Sequence, residues 1–401
     1  MHTPLVWIEL DGHSFEHNVQ TYKRLIGNQL LNVVVKSNAY GHGLIPIGLL
    51  AQQSNAVDWL STATLREALE LRAAGVSKPI LVLYFVDDKP ALALEHDIEL
   101  MVSDTTMLNQ LNIIGQQHTR AFKVHLKVDT GMARFGFLPT EIDTVMQKIS
   151  HLPFIKVTGI YSHLSHAASA DQEYTLYQAT LFNGVLDTVH KAGVSVEHKH
   201  IANSAGILSN HAFNRCTMVR VGLGAYGEWA NDAHKSAMQE RYGPLELKPV
   251  LSLKTRIAQI RTVPANTYVG YDRTHKTDKP TRIAVLAVGY YDGYDRRLSN
   301  KGLVLIGNTY APIIGIIAMT CAMVDITHIP SAQVGDEVVL IGPYEHINPL
   351  ALTQMINSGN ARELITRLNP TIERQITHMA LHRPLEIVHL STPKTHEPLT
   401  T

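Results

Sequence analysis

The chain has 401 residues, long for a single domain, and its 35 Lys and Arg residues balance 35 Asp and Glu residues, so composition argues against a nucleic-acid or anionic-membrane partner. Its two cysteines, Cys216 and Cys321, match neither a metal-ligand spacing nor a disulfide framework, which suits a reduced cytoplasmic compartment. No apolar run is long enough to span a bilayer and no signal-like segment opens the sequence, so membrane insertion and export are not expected.

Taken in chain order, short apolar runs at 32–36, 59–63, 80–84, 99–103, 123–129, 157–163, 200–203 and 218–222 read as strands. Helical patterns at 14–26, 64–74, 105–117, 140–149 and 171–192 lie between them, with Ser14 and Asp171 as expected N-caps and Gly75 and Gly193 as stops. Eight such repeats predict an α/β fold, a closed parallel (β/α)8 TIM barrel over residues 10–236. Chemistry in that architecture sits at the C-terminal strand ends, and Lys36, Lys127, His163, Asn203 and Arg220 fall at or near them. Glu197-His198-Lys199-His200 lacks a third ligand at a recognisable spacing, so a solvated face is expected there and no metal. Past residue 236, strand-like runs at 251–260, 281–288, 302–306, 311–317, 322–326 and 337–341 predict a mainly β domain over 237–388, which residues 1–9 can join. Residues 389–401 lose apolar periodicity and read as a loose tail.

The densest chemical signal is the segment from Val33 to Gly43. Val33, Val34 and Val35 are β-branched and read as a buried strand that Lys36 closes. Such a lysine either snorkels out of the strand end or leaves its nitrogen in low dielectric, where desolvation favours the neutral, nucleophilic amine. Gly41 and Gly43 permit a sharp turn beside it. The whole segment closely resembles the pyridoxal-phosphate lysine motif of the alanine racemase family. The resemblance implies that Lys36 is the Schiff-base residue and pyridoxal 5'-phosphate the cofactor.

Further blocks match the same family in the same order. The first is Lys127-Val128-Asp129-Thr130-Gly131-Met132-Ala133-Arg134. His125, Lys127 and Asp129 share one face by strand alternation, and in a barrel that face can point inward. A bare ammonium there is costly unless paired. An ordinary pair with Asp129 or a glutamate is one solution. The resemblance implies another, carbamylation of Lys127, the anion then orienting Arg134 toward cofactor and substrate carboxylate.

Next come Tyr161-Ser162-His163-Leu164, Ile201-Ala202-Asn203-Ser204-Ala205-Gly206 and Arg220-Val221-Gly222-Leu223-Gly224-Ala225-Tyr226-Gly227. Asn203-Ser204 is expected where a strand gives way to a helix, so its amides and the serine hydroxyl can meet a phosphate. By resemblance Tyr40, Ser204 and Gly222 hold the phosphate, Asn203 and Tyr226 join the cofactor site, Arg220 faces the pyridine nitrogen and His163 orients Arg220. Guanidinium is a donor only and keeps its proton, so a nitrogen facing it stays unprotonated.

In the second domain, the segments around Tyr271 and Tyr290 resemble the catalytic-tyrosine block and the block after it. The resemblance implies two bases on opposite faces of the α-carbon, Lys36 and Tyr271, the tyrosine coming from the partner subunit of a homodimer. It also implies contact of substrate with Arg134, Met319 and Tyr290. Three positions depart from the family pattern: Ile316 stands where arginine is usual, Thr320 where aspartate is usual, and Arg362 where a tyrosine normally touches the phosphate and narrows the entrance. These bear on specificity. The expected function is racemisation of L- and D-alanine, supplying D-alanine for peptidoglycan. The alternatives are a racemase of broader or shifted specificity, serine for instance, and a non-catalytic pyridoxal-phosphate homeostasis protein.

Overall fold

The computed structural model describes residues 4–208, 214–358 and 360–381. The described chain opens with β1 (Val6–Asp11), which pairs not with the barrel but with two strands that follow the barrel in sequence. It then builds β2 (Leu30–Val34), β3 (Trp59–Thr64), β4 (Ile80–Phe85), β5 (Ile98–Val102), β6 (Phe122–Lys127), β7 (Ile155–Tyr161), β8 (His198–His200) and β9 (Met218–Val221). These eight are parallel, in the order β8-β7-β6-β5-β4-β3-β2-β9. At the β8/β9 seam, Thr217 N donates to Lys199 O at 2.9 Å and Arg220 N to Ala202 O at 3.1 Å. The result is the expected (β/α)8 barrel, nearly closed.

Strand alternation sorts the side chains into two layers. Val34, Trp59, Leu81, Leu83, Met101, Tyr161 and Met218 pack together inside the barrel, while Val33, Leu60, Val82 and Leu100 join the larger core under the surrounding helices. The inner layer also holds Glu99, His125, Lys127, His200 and Arg220, all buried. His198 and His200 therefore face inward, not onto a solvated surface as expected. Their alternation in β8 is the period of an inward face, and Trp59 and Tyr161 cover the rings.

Several expected boundaries shift for a common reason. The ladders stop at Val34, Val102, Lys127, Tyr161, His200 and Val221, before the residues that lead toward the barrel mouth. Ser14 is not an N-cap. Asp11 takes that place for the helix Gly12–Ile26, accepting from the amides of His13 and Ser14 at 2.9 and 3.1 Å, and the Ser14 hydroxyl donates back to it. The carboxylate is the stronger acceptor for a first turn of free amides. Asp171 lies one residue before the N-cap of Glu173–Lys191 and accepts from Glu173 N at 2.9 Å.

The second sheet is built from β10 (Leu251–Val263), β13 (Thr281–Leu286), β14 (Leu303–Ile306), β15 (Thr309–Pro312), β16 (Ala322–Asp325), β17 (Glu337–Ile341) and β18 (Glu373–Thr377), joined by β1. A separate hairpin pairs β11 (Tyr268–Val269) with β12 (His275–Lys276). The strand expected at 311–317 is shorter and earlier, since beyond Pro312 only an isolated bridge from Ile313 to Val324 follows before Gly315 turns at φ +76°. β1 runs antiparallel to β10 and parallel to β18, so both ends of the described chain lie in this sheet. The tail expected at 389–401 lies outside the described residues. Among the described residues no helix is long and apolar enough to cross a membrane.

Candidate active site

Lys36 stands two residues beyond β2, not at its end, and the reason is local backbone geometry. Ser37, Asn38, Ala39 and Tyr40 all adopt left-handed φ of 50–55°, a conformation costing about 1–2 kcal/mol per residue outside glycine. A dense set of hydrogen bonds offsets this. The Glu67 carboxylate accepts from Ser37 N at 2.6 Å, Asn38 N at 3.3 Å and Ala63 N at 2.8 Å, and Asn38 Oδ1 accepts from Leu44 N at 2.8 Å. At Gly41, φ is +87° and a Cβ would lie 2.2 Å from Ile365 O, so only glycine allows the second domain this close. The turn lifts the half-buried Lys36 side chain into the barrel mouth, where its Nζ donates to the Tyr84 hydroxyl at 3.3 Å.

The mouth is a cleft of about 510 Å³ lined by Lys36, Lys127, Arg134, Arg220 and Arg362, with Glu228 its one carboxylate. Burial pushes the Glu228 carboxyl up to about 7. A chain of zero net charge thus concentrates cations at one place, as binding of a multiply charged anion requires. Tyr40, Ser204 and Gly222 meet at one end. Ser204 Oγ accepts from Gly222 N at 3.1 Å and Gly224 N at 3.4 Å, and a Cβ on Gly222 would lie 2.5 Å from the Tyr40 hydroxyl. Hydroxyl, phenol and bare backbone together form an anion cradle. Burial raises the Tyr40 phenol to about 12, so it stays a donor. A 3-10 turn, Gly206–Leu208, follows Asn203-Ser204, and Asn203 Oδ1 accepts from Ala205 N at 3.1 Å and Gly206 N at 2.9 Å. Its side chain shapes the turn that presents Ser204.

On the inner wall, Arg220 donates to the Nδ1 of His163 at 3.2 Å, to the Ser162 carbonyl at 2.7 Å and to the Nδ1 of His200. Burial, then the Arg220 charge, holds both imidazoles well below their ordinary range, so both are neutral acceptors. Lys127 is buried with its Nζ on the Val128 carbonyl at 3.0 Å and over the Tyr161 ring. Burial, then Arg220, lowers its ammonium to about 7. The simple pair with Asp129 does not form. Asp129 lies past the strand, and its carboxylate accepts the amides of Gly131, Met132 and Arg134 at 2.8, 2.7 and 3.0 Å. Those three bonds shape the loop that carries Arg134.

Tyr84, Glu67 and Glu99 take part without being singled out by the sequence, and His125, placed there only on the inward face of its strand, joins them. Tyr84, at the C-terminal end of β4, carried the one usable signal, since a polar aromatic ending a barrel strand is placed for chemistry. Tyr226, expected at the cofactor, is fully buried behind Tyr40, its hydroxyl on the Val34 carbonyl at 2.9 Å. It braces the wall from behind.

Several second-domain residues pack on one another outside this cleft. Gly270 packs on Ile316, and the amides of Tyr290 and Tyr291 donate to the carbonyls of Ala318 and Met319 at 3.1 and 2.9 Å. Tyr271 is 67% exposed and Met319 56%, and Thr320 is exposed beside them. Tyr271, Tyr290, Ile316, Met319 and Thr320 do not line the Lys36 cleft of their own chain. Arg362 does. It belongs to the short helix Ala361–Thr366 and its Nε donates to the capping Asn360 Oδ1 at 2.9 Å.

Comparison with known proteins places this geometry. A family model described as alanine racemase, N-terminal domain, matches residues 10–229, and one described as alanine racemase, C-terminal domain, matches 250–376. The alanine racemase of Clostridium tetani is 35% identical over 386 residues, 95% of each chain. The crystal structure of alanine racemase from Streptomyces lavendulae superposes with a TM-score of 0.86 at 31% identity, covering 95% of this chain and 99% of that one. That of Bartonella henselae, solved with covalently bound pyridoxal phosphate, gives 0.79 at 26% identity, covering 93% of this chain and 100% of the other. The chain belongs to the alanine racemase family.

Proposed function

We propose that this chain is a pyridoxal-phosphate-dependent alanine racemase that works as a cytoplasmic homodimer and supplies D-alanine for peptidoglycan. The observation that carries the reading is the convergence of the Lys36 amine with four further cations and the Tyr40, Ser204 and Gly222 cradle in one cleft. That donor set suits the phosphate, pyridine nitrogen and aldehyde of pyridoxal phosphate, with the barrel of residues 10–236 holding it and the domain of 237–388 closing it.

When bound, the cofactor supplies an electron sink that acidifies the hydrogen on the substrate α-carbon. Tyr40, Ser204 and Gly222 hold the phosphate and Arg362 adds a charge-assisted donor. Arg220 presents only donors to the ring nitrogen, held in place by His163 and His200. Arg134, with the Met319 amide and Tyr290, receives the substrate carboxylate. Lys36 Nζ moves a proton on one face and the Tyr271 hydroxyl on the other. Exposure of Tyr271 outside its own chain's Lys36 cleft supports a partner subunit as its destination. A match to the second-domain family model over 250–376 favours a racemase over a lone-barrel cofactor carrier.

Purified protein incubated with single L-amino acids, with products separated by chiral chromatography, tests the reading. D-Alanine should form fastest. Absence of any racemisation, or a faster rate with another amino acid, would overturn it.

A further inference from the structure

Arg220 is fully buried, and among the described residues it makes no ion pair: its partners are carbonyls and neutral imidazoles. A buried guanidinium without a counter-charge is costly. The hydrogen-bond chain behind it ends on a carboxylate. Arg220 can only donate, so His200 Nδ1 must accept, and its proton sits on Nε2. His200 Nε2 lies 2.8 Å from His125 Nδ1, which must therefore accept in turn. The proton of His125 is then on Nε2, 3.0 Å from Glu99 Oε2. That oxygen also accepts from Thr158 Oγ1 at 2.5 Å. Donor character alone fixes both tautomers, and the chain runs one way, from guanidinium at the mouth to carboxylate deep in the barrel.

The arrangement has been given room. A Cβ on Gly159 would lie 2.2 Å from His125 Nδ1, so the ring fits only beside glycine. His198 stacks on His125 with centroids 5.6 Å apart, and Lys123, whose charge also acts on Glu99, is bound by Asp97 at 2.8 Å. Burial by itself would raise the Glu99 carboxyl, but the bonds from His125 and Thr158 bring it below its ordinary range.

We propose that Glu99 is the counter-charge of Arg220 and a positioning residue for it, acting through the fixed tautomers of His125 and His200. Its consequence for racemisation rests on the reading that Arg220 faces the cofactor. The tautomer chain does not.

The test combines ring-nitrogen NMR on histidine-labelled holoenzyme, assigned with His125→Gln and His200→Gln, with kinetics of Glu99→Gln. Glutamine keeps the shape and an acceptor for His125 but removes the charge. Both wild-type rings should carry the proton on Nε2. In Glu99→Gln the His125 Nε2 proton should move upfield, and kcat should fall about tenfold, as for loss of a group that orients a site residue, with little change in KM for alanine. Thr158→Val, which removes only one bond to the carboxylate, should change both in the same direction by less. A proton on Nδ1 of either ring, or an unmoved resonance and kcat in both variants, overturns the proposal. If Arg220→Lys racemises at the wild-type rate, the cofactor reading of Arg220 fails, and the ring-nitrogen spectra still decide whether Glu99 sets the chain.

Discussion

Lys36 and Arg134, far apart in sequence, share one phenol: the Tyr84 hydroxyl lies 3.3 Å from Lys36 Nζ and 3.2 Å from Arg134 Nη2. Both cations also stand over its ring. Burial by itself would raise the phenol, but the two charges bring it below its ordinary range. Tyr84→Phe keeps the ring and removes one shared acceptor, worth about 0.5–1.5 kcal/mol. KM for alanine should rise by roughly 2–10-fold, with fold stability little changed. An unaltered KM and kcat would mean that Tyr84 orients neither cation.

Tyr271 is exposed and does not line the Lys36 cleft of its own chain, which leads to a complementation experiment. Lys36→Ala should lose the absorption band of a lysine-bound cofactor together with activity, while Tyr271→Phe should keep the band and lose racemisation by orders of magnitude. Mixed dimers of the two variants should regain one working site. No recovery in a verified heterodimer would place both bases in the same chain, or remove Tyr271 as a base.

Lys127 gives a pH-dependent prediction. Its ammonium is lowered from the usual 10.5 to about 7. Between those values the unfolded chain holds a proton that the folded one does not, so this site adds stability as pH rises through that window and costs stability below it. Relative to Lys127→Met, wild type should therefore gain in chemical denaturation as pH increases from 7 to 10 under carbon-dioxide-free buffer; a flat difference would contradict the burial cost. A neutral amine is also what reacts with carbon dioxide. Labelled bicarbonate should give a carbamate carbon signal that Lys127→Met lacks, and its absence in wild type would leave Arg134 without the expected anion.

Arg362 stands where a ring was expected by resemblance, and its guanidinium is anchored on Asn360 beside the cleft. If its head group meets the phosphate, space remains for side chains larger than methyl, and pocket size discriminates by only about 1–3 kcal/mol per methylene. Arg362→Tyr should lower the serine-to-alanine ratio of kcat/KM. An unchanged or raised ratio would show that Arg362 does not set pocket size.

Much of this protein is decided locally and is therefore legible in the chain. Three consecutive valines ahead of Lys36, the alternation of apolar runs with helical periods, and the change of texture past residue 236 follow from side-chain sterics and burial. They determine a barrel, a second β region and a lysine at the barrel mouth without reference to anything distant. The tertiary structure decided what depends on partners far along the sequence. The left-handed run Ser37 to Tyr40 is held at its start by Glu67, thirty residues on, which accepts the amides of Ser37 and Asn38. Asp129 abandons Lys127 because three loop amides offer it more than one buried ammonium does. His198 and His200 looked solvated because a histidine pair carries no sign of its neighbours, and only closure of the barrel brings Trp59, His125, Tyr161 and Arg220 around them. Glu99 is silent in the sequence for the same reason: a buried charge acquires its role from the groups that the fold sets against it.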